Sequence, residues 1–175
     1  MLTGLPPLIS SQTRLLILGS FPGVASLQAQ QYYGHPQNQF WRVLSAVFGE
    51  IYASSPLDSG ANSYQIRSEW LLSKNLGMWD VYASCEREGS LDSNISQPAL
   101  NDFSILKTLC PDLQAVAHNG GESFKHAKQM QNLGVPAFRL PSTSPANASW
   151  SFERKVAAWR DVFEKCGLDD KKTTC

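Results

Sequence analysis

Apolar and polar positions along the chain change period from one short segment to the next. Arg14 to Leu18 is a brief, continuously apolar run closed by Gly19, the pattern of a strand buried on both faces of a parallel sheet. Gln39 to Phe48 instead places Phe40, Val43, Leu44, Val47 and Phe48 at helical spacing, ended by Gly49. Residues 52 to 64, rich in Ser, Pro, Asp and Gly, predict a loop, and a second helix is expected over about Ile66 to Lys74. Met78 to Ala83 reads as a strand and the polar stretch Cys85 to Gln97 as a loop. Asp102 to Cys110 reads as a helix capped by Asn101. Ala115 to His118 and Ala137 to Leu140 predict further strands. Between them a helix opens at Gly120-Gly121 and runs to about Leu133, and Ser151 to Cys166 forms the closing helix.

Strands alternating with helices predict an α/β fold of three layers, α/β/α, around a central, mostly parallel, four-stranded sheet. Ligands of such sheets gather at the carboxyl ends of the strands. Attention therefore falls on Gly19 to Asn38, Tyr82 to Gln97, Asn119 to Glu122 and Pro141 to Ser149.

At 175 residues, 42% hydrophobic and 10% aromatic, the chain can fill one core, so a single domain over residues 1–168 with a flexible polar tail over 169–175 is expected. The first residues lack a basic leader, and no apolar stretch approaches the ~20 residues that span a bilayer. The expectation is a soluble, cytoplasmic protein, with no membrane partner and a monomeric state. Cys85, Cys110, Cys166 and Cys175 are scattered without Cys-x-x-Cys spacing, so no metal site and no cofactor is expected.

Fifteen basic and fifteen acidic residues cancel, which argues against bulk electrostatic capture of nucleic acid. Their distribution is uneven. From His118 to Arg160 six basic residues face two acidic ones, a segment able to meet phosphates, although surface scatter accounts for it equally well. Gly-Lys-Ser/Thr, Gly-x-Gly-x-x-Gly and Gly-x-Ser-x-Gly are all absent, which argues against phosphate-binding nucleotidases, dinucleotide enzymes and serine hydrolases.

Two stretches carry the chemistry. Gly19-Ser20-Phe21-Pro22-Gly23 is followed by Tyr32-Tyr33-Gly34-His35-Pro36-Gln37-Asn38-Gln39-Phe40-Trp41, and Leu140-Pro141-Ser142-Thr143-Ser144-Pro145-Ala146-Asn147-Ala148 follows the last strand. In order and position they resemble the first and second signatures of the uracil-DNA glycosylase superfamily, and among its branches the one that removes hypoxanthine from deoxyinosine. The resemblance covers nearly the whole chain. It implies a metal-free DNA glycosylase of base-excision repair, with DNA containing deaminated bases as its partner. A uracil or mismatch glycosylase, or a DNA-binding module without catalysis, are the alternatives.

A glycosylase holds an extruded base by stacking on its face and hydrogen-bonding its edge. The resemblance places Tyr33 at the stacking position, and Gly19, Ser20, Phe21 and Pro22 around the base, with backbone N–H groups near Ser20 and Phe21 meeting a carbonyl. It makes Asn38 the catalytic residue, whose carboxamide orients water and the leaving group but is no general base. Asp80 and Asn119 are the two candidates for reading the base edge. Ser142, Thr143, Ser144, Pro145, Ala146 and Asn147 form the loop that enters the minor groove, with Pro145 and Ala146 as a wedge. Each has a plainer use: Tyr33 as a core aromatic, Asn38 as the cap of the helix after it, Asp80 and Asn119 as loop or helix-cap partners, and the loop as a tight connection. Phe21 stands where many uracil enzymes have Asp or Asn, and Ser142 where they have His. Both departures point away from efficient uracil removal.

Overall fold

The computed structural model describes residues 1–49 and 61–168. Its main sheet is built on β2 (Leu15–Gly19), which pairs in parallel with β3 (Leu76–Asp80) on one side and β6 (Ala115–Asn119) on the other; β7 (Ala137–Leu140) joins β6, also in parallel. The order β3-β2-β6-β7 makes a four-stranded, wholly parallel sheet, with helices packed on it as a three-layer α/β/α fold. Leu15, Leu16, Ile17 and Leu18 have no exposed surface, which is why that stretch is apolar at every position and not at alternate ones.

Helix α2 (Phe40–Phe48) packs on the closing helix α7 (Phe152–Lys165). Phe40 meets Trp159 edge to face at 5.8 Å, and Phe48 meets Phe163 at 5.6 Å, distances at which aromatic pairs add to simple burial. The Trp159 indole N–H donates to Pro141 O at 3.2 Å, so the same side chain holds the start of the loop after β7. Ser151 caps α7 through its hydroxyl, which accepts from Arg154 N–H.

His118, fully buried on β6, lies 2.8 Å from Ser123 Oγ, and that hydroxyl donates onward to Leu18 O at 2.8 Å. The single serine proton is thus committed to Leu18, so His118 Nδ1 is the donor to Ser123. Burial lowers the imidazole to about 4 and keeps it neutral.

Several expectations are corrected. Met78 to Ala83 is not one strand. Val81 and Tyr82 donate to Gly19 O and Ser20 O as the chain leaves the main sheet. β4 (Tyr82–Glu86) then enters a separate antiparallel sheet between β1 (Leu2–Thr3) and β5 (Ser96–Leu100). A run of apolar residues records burial and is blind to a change of hydrogen-bonding partner. β5 begins in the last two residues of the expected loop, Ser96 and Gln97, and is exposed throughout, and its Pro98 is tolerated because it is an edge strand. A short helix, α1 (Val24–Ala29), interrupts the loop after β2, and α3 (Ala61–Ser73) begins inside the loop expected over 52 to 64, whose residues 52–60 lie outside those described. The tail 169–175, with Cys175, also lies outside them.

The cap after β5 is Asp102, which accepts from Ser104 N–H, and it opens a 3-10 turn (Phe103–Ile105) before α4 (Leu106–Leu109). Asn101 instead donates its amide to Asp80 O at 2.9 Å. The helix expected from Gly121 to Leu133 breaks into α5 (Gly121–Phe124) and α6 (Ala127–Gln131). At the break, His126 Nε2 lies 2.9 Å from the Tyr82 hydroxyl.

Replacing Trp159 by Ala removes the side chain that joins α2, α7 and the 141 loop. A loss of about 3–5 kcal/mol is expected for such a truncation, read as a lower denaturation midpoint at unchanged slope. A loss below about 1 kcal/mol, the scale of surface changes, would contradict this account of the core.

Candidate active site

The residues singled out in the sequence come together. A cleft of about 850 Å³ opens where β2, β3, β6 and β7 end, and its walls include Gly19 to Pro22, Tyr33, Asn38, Asp80, Asn119 and Ser142 to Asn147. This is the carboxyl edge of the sheet, where the helices' N-termini and the connecting loops converge.

Gly19 ends β2 directly against Asp80 at the end of β3, its register partner. A Cβ on Gly19 would lie 2.4 Å from Asp80 Oδ1 and 3.4 Å from the Tyr33 hydroxyl, so only glycine lets the three groups share the cleft floor. Ser20 Oγ donates to Asp92 Oδ1 at 2.6 Å, Arg87 donates to Pro22 O, and Val24 N–H donates to Ser90 Oγ at 3.0 Å. The turn after β2 is thereby fastened to residues 87–95, which supply Ser90, Leu91 and Asp92 to the cleft. They lie in the Tyr82 to Gln97 loop expected at the carboxyl edge of the sheet, but nothing in that polar stretch singled these three residues out. Phe21 turns its ring under Arg87, whose guanidinium carbon sits 5.1 Å from the ring centre, so Phe21 serves the cleft through its backbone.

Tyr33 has a left-handed backbone, φ 54°, a strained choice for a bulky residue that the surroundings must enforce. It lays the ring on Phe40, with centroids 3.8 Å apart and planes 14° from parallel. One face is closed by Phe40, so a flat guest in the cleft meets the other. The Tyr33 hydroxyl is buried without a hydrogen-bond partner, as is Asp80 Oδ2.

Asn38 Oδ1 accepts from Phe40 N–H at 3.0 Å at the start of α2. The capping use is therefore present, and the Nδ2 end of the same amide remains for the cleft that Asn38 lines. Asn119 is differently placed: its Nδ2 donates to Thr143 Oγ1 at 2.9 Å and its Oδ1 accepts from Thr143 N–H at 3.0 Å. Thr143 is fully buried and its carbonyl accepts from Gln39 N–H at 3.0 Å. It anchors the loop inward, while Pro145 and Ala146 form the exposed tip. Ser142 and Ser144 accept from Ser144 N–H and Ala146 N–H, which leaves their own hydroxyl protons free to point outward. Gly120, at φ 107°, brings β6's exit against Ser142, where a Cβ would find its neighbour at 3.1 Å.

Lys155 is a further part of the site that no motif announced. It is buried on α7, and its Nζ donates to Gln39 Oε1 and Asn147 O, both at 2.9 Å. The helical spacing of α7 marks Lys155 as the one charged residue on the face shared with Val156, Trp159 and Phe163, a signal that was available in the sequence. Of the six basic residues between His118 and Arg160, Lys155 is thus structural, Lys125 pairs with Glu122 at 2.6 Å, and Arg160 donates to Ala46 O. Exposed Arg139 and Arg154, the latter 4.3 Å from the Trp150 ring centre, flank the cleft.

Burial, with a smaller contribution from the negative Asp92, pushes the Asp80 carboxyl from 3.8 up to about 7, against the pull of Arg87. Burial also raises Asp92, with the Ser20 hydrogen bond opposing it.

Comparison with known proteins places these features among relatives. The sequence profile described as the uracil DNA glycosylase superfamily matches residues 6–163. A hypoxanthine DNA glycosylase of Methanosarcina barkeri is 38% identical over 162 residues, covering 93% of this chain and 98% of that protein. A hypoxanthine DNA glycosylase of Methanosarcina acetivorans is 36% identical over 160 residues, covering 91% and 96%. The solution NMR structure of a candidate uracil DNA glycosylase from Methanosarcina acetivorans superposes with a TM-score of 0.81 at 34% identity, over 94% of this chain and 98% of that one.

The Asp80 environment gives a stability prediction. Its folded-state value, about 7, lies above its unfolded value, so the folded protein holds the proton more tightly. The associated stability is fully present below about pH 4 and is lost as the pH rises through about 7. At about 1.36 kcal/mol per unit, the loss is of order 4 kcal/mol. Asp80→Asn lacks this slope, so denaturation midpoints of the two proteins should diverge between about pH 4 and pH 8, with the variant gaining. Parallel pH profiles would show Asp80 ionised throughout.

Proposed function

Because this chain belongs to the uracil DNA glycosylase superfamily, we propose that its cleft binds a base flipped out of DNA and that it is a monofunctional hypoxanthine DNA glycosylase. Water adds to C1′ of deoxyinosine as the C1′–N9 bond breaks; the bonding pair leaves with hypoxanthine, which takes up a proton, and an abasic site remains. The reading is supported chiefly by one observation: Tyr33 and Asn38, from the stretch before α2, and Asp80, from the end of β3, line one cleft of about 850 Å³ beside an exposed tip at Pro145-Ala146.

In this reading Tyr33 stacks on the purine with the face that Phe40 does not cover. Phe21 N–H, which has no carbonyl partner within the described protein, is available to a base oxygen. Asn38, held by its Oδ1, directs Nδ2 toward water or the departing base. Such fixed donors matter most as negative charge gathers on the leaving group. Asn119 spends one bond from each end of its amide on Thr143, which favours Asp80 as the reader of the base edge and Asn119 as the residue that sets the loop. The Ser142 and Ser144 hydroxyls, with Arg139 and Arg154, meet the phosphates, and Pro145-Ala146 fills the gap left by the extruded nucleotide. With neither His at 142 nor Asp at 21, uracil is the weaker substrate.

Asn38→Ala is expected to lower single-turnover excision from a deoxyinosine duplex by about 10²–10³-fold, the usual cost of one preorganised donor, with much less effect on DNA affinity. Excision at the wild-type rate would reduce Asn38 to a helix cap. A protein that binds the duplex but never yields an abasic site would overturn the glycosylase reading itself.

Affinity should fall with salt, and the double variant Arg139→Ala, Arg154→Ala should flatten the log-log slope by about 2, roughly one for each phosphate that the variant no longer neutralises. An unchanged slope would place the DNA elsewhere on the surface.

A further inference from the structure

We propose that Asp80 meets the base as a neutral carboxylic acid, its O–H donating to the carbonyl oxygen of the deaminated base and its C=O accepting from the adjacent ring N–H. The proposal rests on the reading of the cleft as a base pocket and adds the protonation state that pocket requires.

The geometry is that of a carboxyl shaped for a neutral guest. Asp80 is 4% exposed, stands at the end of β3 and lines the cleft. Oδ1 occupies the space a Gly19 side chain would fill, and Oδ2 is buried with no partner. The charged and titratable groups around it do not form an ion pair with it. Arg87, beyond β4, donates from Nη2 to Pro22 O and from Nε to Gly89 O, while its Nη1 is buried without a partner and its charge acts on Asp80 only through space. Asp92, in the 87–95 loop, is a like charge held by Ser20. Tyr33 and Tyr32, before α2, are both pushed upward by burial and by Asp80 itself, so they stay neutral. An isolated carboxylate in such a place is costly, whereas the neutral acid loses little. The rise to about 7 follows from the same surroundings.

Chemistry gives the protonated form its use. A carboxylate only accepts hydrogen bonds, so it would face the carbonyl oxygen of hypoxanthine with a lone pair. It would also oppose the negative charge that spreads onto that oxygen as the glycosidic bond breaks. A neutral acid supplies one donor and one acceptor, matching a carbonyl beside an N–H, and its hydrogen bond strengthens as the charge builds. A carboxylic acid kept neutral near physiological pH to donate a hydrogen bond is a known catalytic strategy.

The test is the pH dependence of single-turnover excision from a duplex with one deoxyinosine, for wild type, Asp80→Asn and Asp80→Ala, each checked for folding by circular dichroism. The wild-type rate is expected to fall about tenfold per unit above a break near neutral pH. Asp80→Ala is expected to lose about 10²-fold across the range. Asp80→Asn, whose amide copies the donor and acceptor of the neutral acid, should recover part of that loss and show no break near neutrality. The base's own ring N–H titrates identically in all three, so the difference between profiles isolates Asp80. A break that persists in Asp80→Asn, or a folded Asp80→Asn as inactive as Asp80→Ala at every pH, would overturn the proposal. A wild type inactive at every pH would instead sink the functional reading. Carbon-13 NMR of the wild-type carboxyls supplies a measurement that needs no variant: one Asp resonance should titrate near neutral pH, and its absence also overturns the proposal.

Discussion

Thr143 is where three separately coded segments are locked together. Its N–H and hydroxyl close on the two ends of the Asn119 amide, and its carbonyl receives the N–H of Gln39 at the head of α2. Lys155 reinforces the same junction from α7, bonding Gln39 and Asn147. The exit of β6, the segment carrying Asn38 and the loop carrying Pro145-Ala146 are therefore tied directly to one another. The base of that loop is made of hydrogen-bonded polar groups, with Thr143 and Lys155 themselves buried. Such networks fix one geometry because a half-made version leaves buried donors without partners.

The cleft floor follows the opposite principle. Asp80 Oδ2 and the Tyr33 hydroxyl are buried and unpartnered, and Tyr33 holds a left-handed backbone. These features cost stability in the free protein, and in the proposed function a base with a carbonyl and an N–H would supply the missing partners. The frame at Thr143 and the aromatic cluster of Tyr33 stacked on Phe40 and Trp159 edge-on to it provide the stability that allows the floor to remain unsatisfied.

The small antiparallel sheet has a related part. By turning Tyr82–Glu86 out of the main sheet it carries residues 87–95 over the first signature, where Arg87, Ser90 and Asp92 hold Pro22, Val24 and Ser20. Catalysis of this kind relies on fixed donors more than on a strong nucleophile, and the fold supplies that fixity from two sides of the cleft.

The sequence alone determined the main sheet and the signature residues of the candidate site. Arg14 to Leu18 is apolar at every position because both faces of β2 are covered, and α2 and α7 repeat at helical spacing because each buries one stripe. The two signature stretches, with Tyr33, Asn38 and Asp80, were legible because their residue types and order are tied to the chemistry. Tertiary structure alone decided how those residues are used. Asn101 and Asp102 are adjacent and both suit a cap, yet Asp102 caps while Asn101 holds Asp80 O. Asn119 and Asp80 were equal candidates in the sequence, and only the structure shows that Asn119 bonds Thr143 from both ends of its amide while Asp80 Oδ2 has no partner. The break after Asp80 left no trace in the pattern, since Val81 and Tyr82 are buried on either side of the change of sheet. The physical reason is common to all: local periodicity records which face is buried, whereas hydrogen-bond partners and a carboxyl's isolation depend on segments brought together from distant parts of the chain.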